Sequence, residues 1–238
     1  MRSLSGRFVL PSGLIMADLR DFVPIDVATW SLQQSLPSEL ASSAMVRQTA
    51  FLAGRFCAMQ ALYRLGHEES GCLPRLADRR VAWPAGYVGS ISHSGDQAIA
   101  LVGHRSQWQS VAVDVQTWMS DDQATRVSGR VLLPSEQDWV GQQPKPTHAA
   151  WVSRIFSIKE TVYKLLYHEA LRYMPFDAAE VIQWAPTHVV VCLSKDWSSR
   201  WRRGDCLTVY RVDDPVAVLT WATLAQPVHD GGNGADGL

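Results

Sequence analysis

Nothing in this chain of 238 residues favours one sign of charge: Lys and Arg total 22 against 23 Asp and Glu, giving a formal net charge of -1. No global field draws a polyanion, so nucleic acid is not an expected partner. Long apolar runs are missing too. Charged or polar residues interrupt every hydrophobic segment before it reaches the roughly 20 residues that cross a bilayer, so no membrane is expected. Cysteine is sparse. Cys57, Cys72, Cys192 and Cys206 fall in no CxxC or other metal-ligand spacing, and the N-terminus carries no signal-peptide pattern. The expectation is reduced, mostly packed thiols in a cytoplasmic protein. A hydrophobic content of 47% is ample for a real core in one large domain or two small fused ones.

Hydrophobic period organises the rest. Residues 7–25 alternate short apolar runs with Pro, Gly or Asp, which suits an irregular opening with one or two short strands. From Ser43 to Leu65 the apolar residues recur at helical spacing and Gly66 supplies a stop. Val88 to His93 and Ala98 to Val102, separated by Ser94-Gly95-Asp96, read as a β-hairpin, and Val111 to Val115 as a further strand. Residues 142–147 read as a loop, Trp151 to Leu166 as a second long helix, and 189–193, 207–212 and 217–221 as late strands. Each half offers a long helix and several strands, so the expected class is α+β in two similar lobes meeting near residues 117–123. Residues 227–238, rich in Asp, Gly and Asn, are expected to be disordered.

Two pairs of residues carry chemistry. Asp114 and Gln116 are two apart on a strand, so they leave one face while Val113 and Val115 point into the core. Glu160 and Lys164 are four apart on a helix and share a face; alone they would read as a surface ion pair. A hard cation such as magnesium combines one or two carboxylates with waters and substrate phosphates, which Asp114 and Glu160 can supply. The segment Gly89-Ser90-Ile91-Ser92-His93 lacks the GxSxG spacing of a nucleophile elbow, so no nucleophilic serine is indicated.

Four blocks in order complete the pattern: Arg47-Gln48-Thr49-Ala50-Phe51-Leu52-Ala53-Gly54-Arg55; Trp83 to His93, of the form WPAGYVGSISH; Val113-Asp114-Val115-Gln116; and Phe156 to Lys164, of the form FSIKETVYK. Their joint order and spacing resemble the Sfp-type phosphopantetheinyl transferases, in the branch of enterobactin synthetase component D, over about half of the chain. The resemblance implies two pseudo-symmetric α+β lobes, an N-terminal lobe over residues 1–120 and a C-terminal lobe over 121–226, with coenzyme A and magnesium in the cleft between them. It implies that Asp114 and Glu160 are metal ligands, that Lys164 is the lysine of the KExxxK motif, and that Ser92 and His93 contact phosphate. It also places Arg47 and Arg55 beside the nucleotide phosphates. Gln116 departs from the family, which usually has a glutamate there.

The implied reaction transfers the phosphopantetheine arm of coenzyme A to a serine of an apo acyl- or peptidyl-carrier protein, an acidic partner, and releases adenosine 3′,5′-bisphosphate. A monomer suffices for a two-lobe chain that completes its own cleft. Two alternatives stay open on the residues alone: a magnesium-dependent transferase of another nucleotide diphosphate, and a non-catalytic relative that binds without turnover.

Overall fold

The computed structural model describes residues 10–19, 36–68 and 73–227. The expected disorder of residues 228–238, the state of Cys72 and most of the opening segment lie outside them. In the N-terminal lobe, β1 (Leu14–Leu19), β2 (Tyr87–Ser94) and β3 (Gln97–His104) form an antiparallel sheet of order β1-β3-β2, covered by α2 (Met45–Arg64) after the short α1 (Ser38–Ala41). Five further strands build the other sheet: β4 (Trp108–Thr117), β5 (Ala179–Trp184), β6 (His188–Leu193), β7 (Cys206–Asp213) and β8 (Ala217–Ala225), in the order β4-β8-β7-β6-β5. Between β4 and β5 run α3 (Asp121–Val131), α4 (Pro134–Gly141) and the long α5 (His148–Ala170). The class is α+β, two sheets with a long helix on each.

Strand β4 follows β3 after a short turn yet pairs with β8, the last strand of the chain, from Trp108 opposite Ala225 to Thr117 opposite Ala217. The reason is topological. Both edges of β3 are already taken by β1 and β2, so β4 has no edge to join there and becomes the rim of the larger sheet. The strand bearing Asp114, placed at the end of the N-terminal lobe by sequence, therefore belongs by hydrogen bonding to the second sheet.

Three apolar clusters hold this arrangement. Ala98, Ala100 and Val102 of β3 pack under α2, while Ile99 and Leu101 on its opposite face meet Val111, Val113 and Val115 of β4 between the two sheets. Burial on both faces explains why β3 is a continuous apolar run rather than an alternation. The third cluster sits between α5 and the larger sheet and includes Ile155, Ile158, Val162, Leu165, Val189, Val191 and Val209. Helix α2 approaches β2 closely enough that a Cβ on Gly54 would lie 2.6 Å from Ile91 Cγ2, so glycine is required there. Gly95, at φ +59°, makes the two-residue turn between Ser94 and Gln97.

One sequence expectation is corrected. Cys192 and Cys206 are directly opposite across β6 and β7, with Cα atoms 4.0 Å apart, and form a disulfide rather than two reduced thiols. A separation of 14 residues without a motif concealed the cross-strand pairing. Cys57 is a buried free thiol whose pKa is pushed far up by burial and by the charge of Asp18.

Candidate active site

The site begins with a strand edge that no other strand pairs, buried against β2. Because β4 pairs with β8 on one side alone, the backbone N–H groups of its outer side need other acceptors. Alternate residues of β2 provide them: Ser90 Oγ accepts from Val113 N at 3.1 Å and Ser94 Oγ from Thr117 N at 3.1 Å. Ser92, between these two on the same face, donates to Asp114 Oδ1 at 2.7 Å. A row of serines on one sheet thus fixes the register of a strand on the other.

Asp114 is 4% exposed. Its Oδ1 accepts from Lys164 Nζ at 2.6 Å as well as from Ser92, and its Oδ2 accepts from Ser157 Oγ at 2.7 Å. Lys164 Nζ also donates to Ser92 Oγ at 2.9 Å and to Val113 O at 3.2 Å. A buried carboxylate with three donors, one of them cationic, is a satisfied charge. The helical neighbour Glu160 is not the partner of Lys164, so the surface ion pair suggested by their spacing does not form.

Glu160 instead presents a half-buried carboxylate with no hydrogen-bond or salt-bridge partner among the described residues. Burial raises its pKa above the usual carboxylate range; the charge of Lys164 opposes this and that of Asp114 adds to it. Gln116, half-buried two residues beyond Asp114, donates its amide to Thr117 O at 2.7 Å, which turns its carbonyl oxygen away from that contact.

Beside these groups opens a cleft of about 1010 Å³ lined by both lobes. Arg47, Arg55, Arg75, Arg79, Arg80, Arg105 and Lys164 line it against one acid, Asp78, so the cleft is strongly basic in a chain that is nearly neutral overall. Exposed Arg47 stands near its mouth. Arg55 is buried, donating Nε to Leu73 O at 3.0 Å with its guanidinium 4.6 Å over the Phe51 ring. His93 follows Ser92 on β2, so the two point to opposite faces, and His93 lines the cleft while the Ser92 hydroxyl is engaged with Asp114 and Lys164. His93 is exposed by surface area, yet desolvation by the surrounding walls, reinforced by Lys164 and Arg47 and opposed by Asp114, holds its pKa below the ordinary value.

Lys164 thus lines the cleft, whereas Asp114 and Gln116 do not. Glu160 borders an adjoining small cavity of about 40 Å³ with Tyr173, Met174 and Trp197, and Tyr163 lines both spaces. Among the described residues no group of three or more His, Cys, Asp or Glu is arranged to hold a metal. The side chains of Asp114, Glu160 and Gln116 offer two carboxylates and an amide oxygen, all hard donors, with Glu160 unpaired among the described residues and made more basic by burial. That set fits a magnesium ion completed by water and phosphate oxygens, and does not fit a soft or fully caged metal.

Sequence reasoning missed Ser157, Tyr163 and the arginines at 75, 79, 80 and 105. The run Arg75-Leu76-Ala77-Asp78-Arg79-Arg80 carries a readable signal, a local cationic cluster in a neutral chain. Ser157 carries none, since a serine in a helix is ordinary.

Comparison with known proteins gives a consistent result. A family model described as "4'-phosphopantetheinyl transferase N-terminal domain" matches residues 36–103, and one described as "4'-phosphopantetheinyl transferase superfamily" matches residues 110–217. The chain is similar to "4'-phosphopantetheinyl transferase Npt" of Nocardia iowensis, 27% identical over 173 residues that cover 73% of this chain and 74% of that protein. It is 31% identical to "Enterobactin synthase component D" of Salmonella typhi over 151 residues, 63% of this chain and 61% of the relative. It is likewise 31% identical to "4'-phosphopantetheinyl transferase PptT" of Mycobacterium tuberculosis over 151 residues, 61% of this chain and 64% of the relative.

Proposed function

Because the chain belongs to the 4′-phosphopantetheinyl transferase superfamily, whose role is carrier-protein modification, we propose that its basic cleft binds coenzyme A and that Asp114, Glu160 and Lys164 carry the transfer. The observation that supports this most is the cleft itself, seven cations around about 1010 Å³, ending on the one lysine that also touches Asp114. Coenzyme A carries its negative charge on a diphosphate and a ribose phosphate, and arginine forks suit both. Arg47, Arg55 and His93 serve the phosphates from the N-terminal lobe.

The hydroxyl of the carrier serine attacks the pantetheine-side phosphorus of the diphosphate, forming the new P–O bond as the bond to adenosine 3′,5′-bisphosphate breaks. Such a step asks the protein for positioning and charge neutralisation rather than a covalent intermediate. Glu160, kept basic by burial and by Asp114, takes the serine proton. Lys164 follows the charge that builds on the leaving phosphate. Asp114 and Glu160 would hold a magnesium ion, with Gln116 offering its carbonyl oxygen weakly, and the ion would supply charge neutralisation at the diphosphate. Ser92, which meets Asp114 and Lys164, serves the phosphate beside His93.

The remaining parts of the reading are a two-lobe division between residues 120 and 121, a monomer, an acidic acceptor and a cytoplasmic location. Among the described residues no helix is long and apolar enough to cross a membrane. Mass spectrometry of an apo carrier incubated with the enzyme, coenzyme A and magnesium tests the central claim. A mass gain of one phosphopantetheine, lost in Glu160→Ala, is expected; coenzyme A binding without any gain on several apo carriers would overturn it.

A further inference from the structure

Behind Asp114 lies a buried chain of hydroxyl groups that the transfer step does not use. Ser157 Oγ, which donates to Asp114 Oδ2 at 2.7 Å, lies 2.9 Å from Thr220 Oγ1, and Thr220 Oγ1 lies 2.7 Å from Thr161 Oγ1. Thr220 also donates to the Ser157 carbonyl at 3.0 Å. All three residues are fully buried. Thr220 sits directly opposite Asp114 across β4 and β8, while Ser157 and Thr161 are one turn apart on α5.

The direction of the bond to Asp114 is fixed by counting protons. Each hydroxyl has one, and the ionised carboxylate has none. Ser157 must therefore donate to Asp114, which leaves it an acceptor towards Thr220. The single Thr220 proton has two acceptors, Ser157 Oγ at 2.9 Å and the Ser157 carbonyl at 3.0 Å, and Thr161 Oγ1 packs against Thr220 Oγ1 behind them, so the hydroxyls support one another in a low-dielectric interior. Among the described residues Ser157 is the one donor on Oδ2, whereas Oδ1 meets Ser92 and Lys164 beside the cleft.

We propose that Ser157, backed by Thr220 and Thr161, is a positioning residue of the transferase: it fixes the rotation of the Asp114 carboxylate and dedicates Oδ2 to the interior, so that Oδ1, shared with Ser92 and Lys164, is the oxygen offered to a metal ion when Lys164 turns towards the diphosphate. This rests on the reading of Asp114 as a metal ligand. Partners of this kind behind a ligand set its orientation and basicity, and their loss costs about 10-fold to 100-fold in metal affinity.

The test follows Mn²⁺ as a paramagnetic stand-in, titrated against the protein with coenzyme A present and read as the loss of the free-ion resonance. Ser157→Ala should weaken Mn²⁺ binding about 10-fold or more, and Thr220→Val, which keeps the shape and removes the relay, by a smaller factor in the same direction. Coenzyme A affinity measured without metal should be unchanged in both. Two outcomes overturn the proposal: a folded Ser157→Ala that binds Mn²⁺ as wild type, or one whose melting temperature falls while its Mn²⁺ affinity does not. If Ser157→Ala does not fold, wild-type affinity in Thr220→Val overturns it equally. Asp114→Ala separates the two levels: Mn²⁺ binding lost there but kept in Ser157→Ala rejects this role alone, whereas binding kept in Asp114→Ala rejects the metal reading beneath it.

Discussion

Replacing Glu136 with alanine should be among the most damaging single changes to stability in the second lobe. Its carboxylate accepts from Lys159 Nζ at 2.6 Å, from Leu133 N at 2.8 Å and from Val181 N at 2.9 Å, so one side chain joins α5, the start of α4 and β5. The pair is buried, with side-chain exposures of 1% for Lys159 and 3% for Glu136. Burial depresses the Lys159 pKa and the charge of Glu136 resists that. Glu136→Ala would leave the ammonium with Val131 O as its hydrogen-bond partner and orphan two backbone donors. Breaking such a pair costs about 3–5 kcal/mol. With a urea slope of about 2 kcal/mol/M, the midpoint should fall by roughly 2 M. Lys159→Met should cost a similar amount, while Glu136→Leu combined with Lys159→Met should cost less than the two single losses added, because no charge remains buried alone. Urea unfolding followed by circular dichroism measures all four proteins. A loss below about 1 kcal/mol in Glu136→Ala, or strict additivity in the double variant, would refute the reasoning. Lys159 precedes Glu160, so a folded single variant should also transfer more slowly.

Three further outcomes follow from the site. Glu160 has a raised pKa in the folded state, so its ionisation costs stability as pH rises: Glu160→Gln should melt at the same temperature as wild type at pH below the ordinary glutamate range and increasingly higher above it. Equal melting temperatures across the whole pH range would count against the burial argument. His93, held below its usual pKa, should take up a proton when coenzyme A phosphates arrive, so the calorimetric binding enthalpy near pH 6.5 should depend on the buffer more in wild type than in His93→Ala; no difference between the two would remove His93 from the phosphates. Gln116→Glu restores a carboxylate on the Asp114 face but gives up the amide bond to Thr117 O, and should lower the magnesium concentration for half-maximal activity; an unchanged half-point with unchanged turnover would take Gln116 out of the metal shell.

The long helices, the β2–β3 hairpin and the late strands were legible because each is strongly periodic, and the structure lengthens them by a few residues at most ends. Helices α3 and α4 were missed although both carry local signals: Ser120 and Gln123 form a reciprocal capping box, and Pro134 opens a helix whose Glu136 accepts from Leu133 N. Their apolar stripes are short, so periodicity alone is weak there. Asp114, Glu160 and Lys164 were singled out by motif, but the contact between Lys164 and Asp114 was not, because a spacing of four on a helix says nothing of a strand 50 residues away. The hydrogen bonds of Ser92 to Asp114 and Lys164 were not foreseen; alternation along β2, which sends Ser92 and His93 to opposite faces, contained that signal. The partnership of β4 with β8 depends on which edges of β3 are free, a global property no local pattern carries.

Helix α5 sets two lysines against carboxylates, and their environments predict opposite roles. Lys159 is enclosed with Glu136, whereas the Lys164 side chain is 23% exposed and lines the cleft. Asp114 does not depend on Lys164 alone, since Ser92 and Ser157 donate to it as well. When an anion enters the cleft the ammonium can lean towards it, and the two hydroxyls keep the buried carboxylate hydrogen-bonded meanwhile. Lys164→Met should therefore cost about 1–2 kcal/mol of stability, well short of the loss of a fully enclosed pair, and should slow transfer by about 10²-fold to 10³-fold, the scale of removing one charge-stabilising donor. Lys159→Met should invert the pattern, with the larger stability loss and the smaller effect on the turnover of folded protein. Urea unfolding and carrier-labelling rates on both variants decide the matter. A Lys164→Met protein as destabilised as Lys159→Met, yet turning over at the wild-type rate, would make Lys164 a structural counter-ion of Asp114 and leave the diphosphate without its proposed lysine.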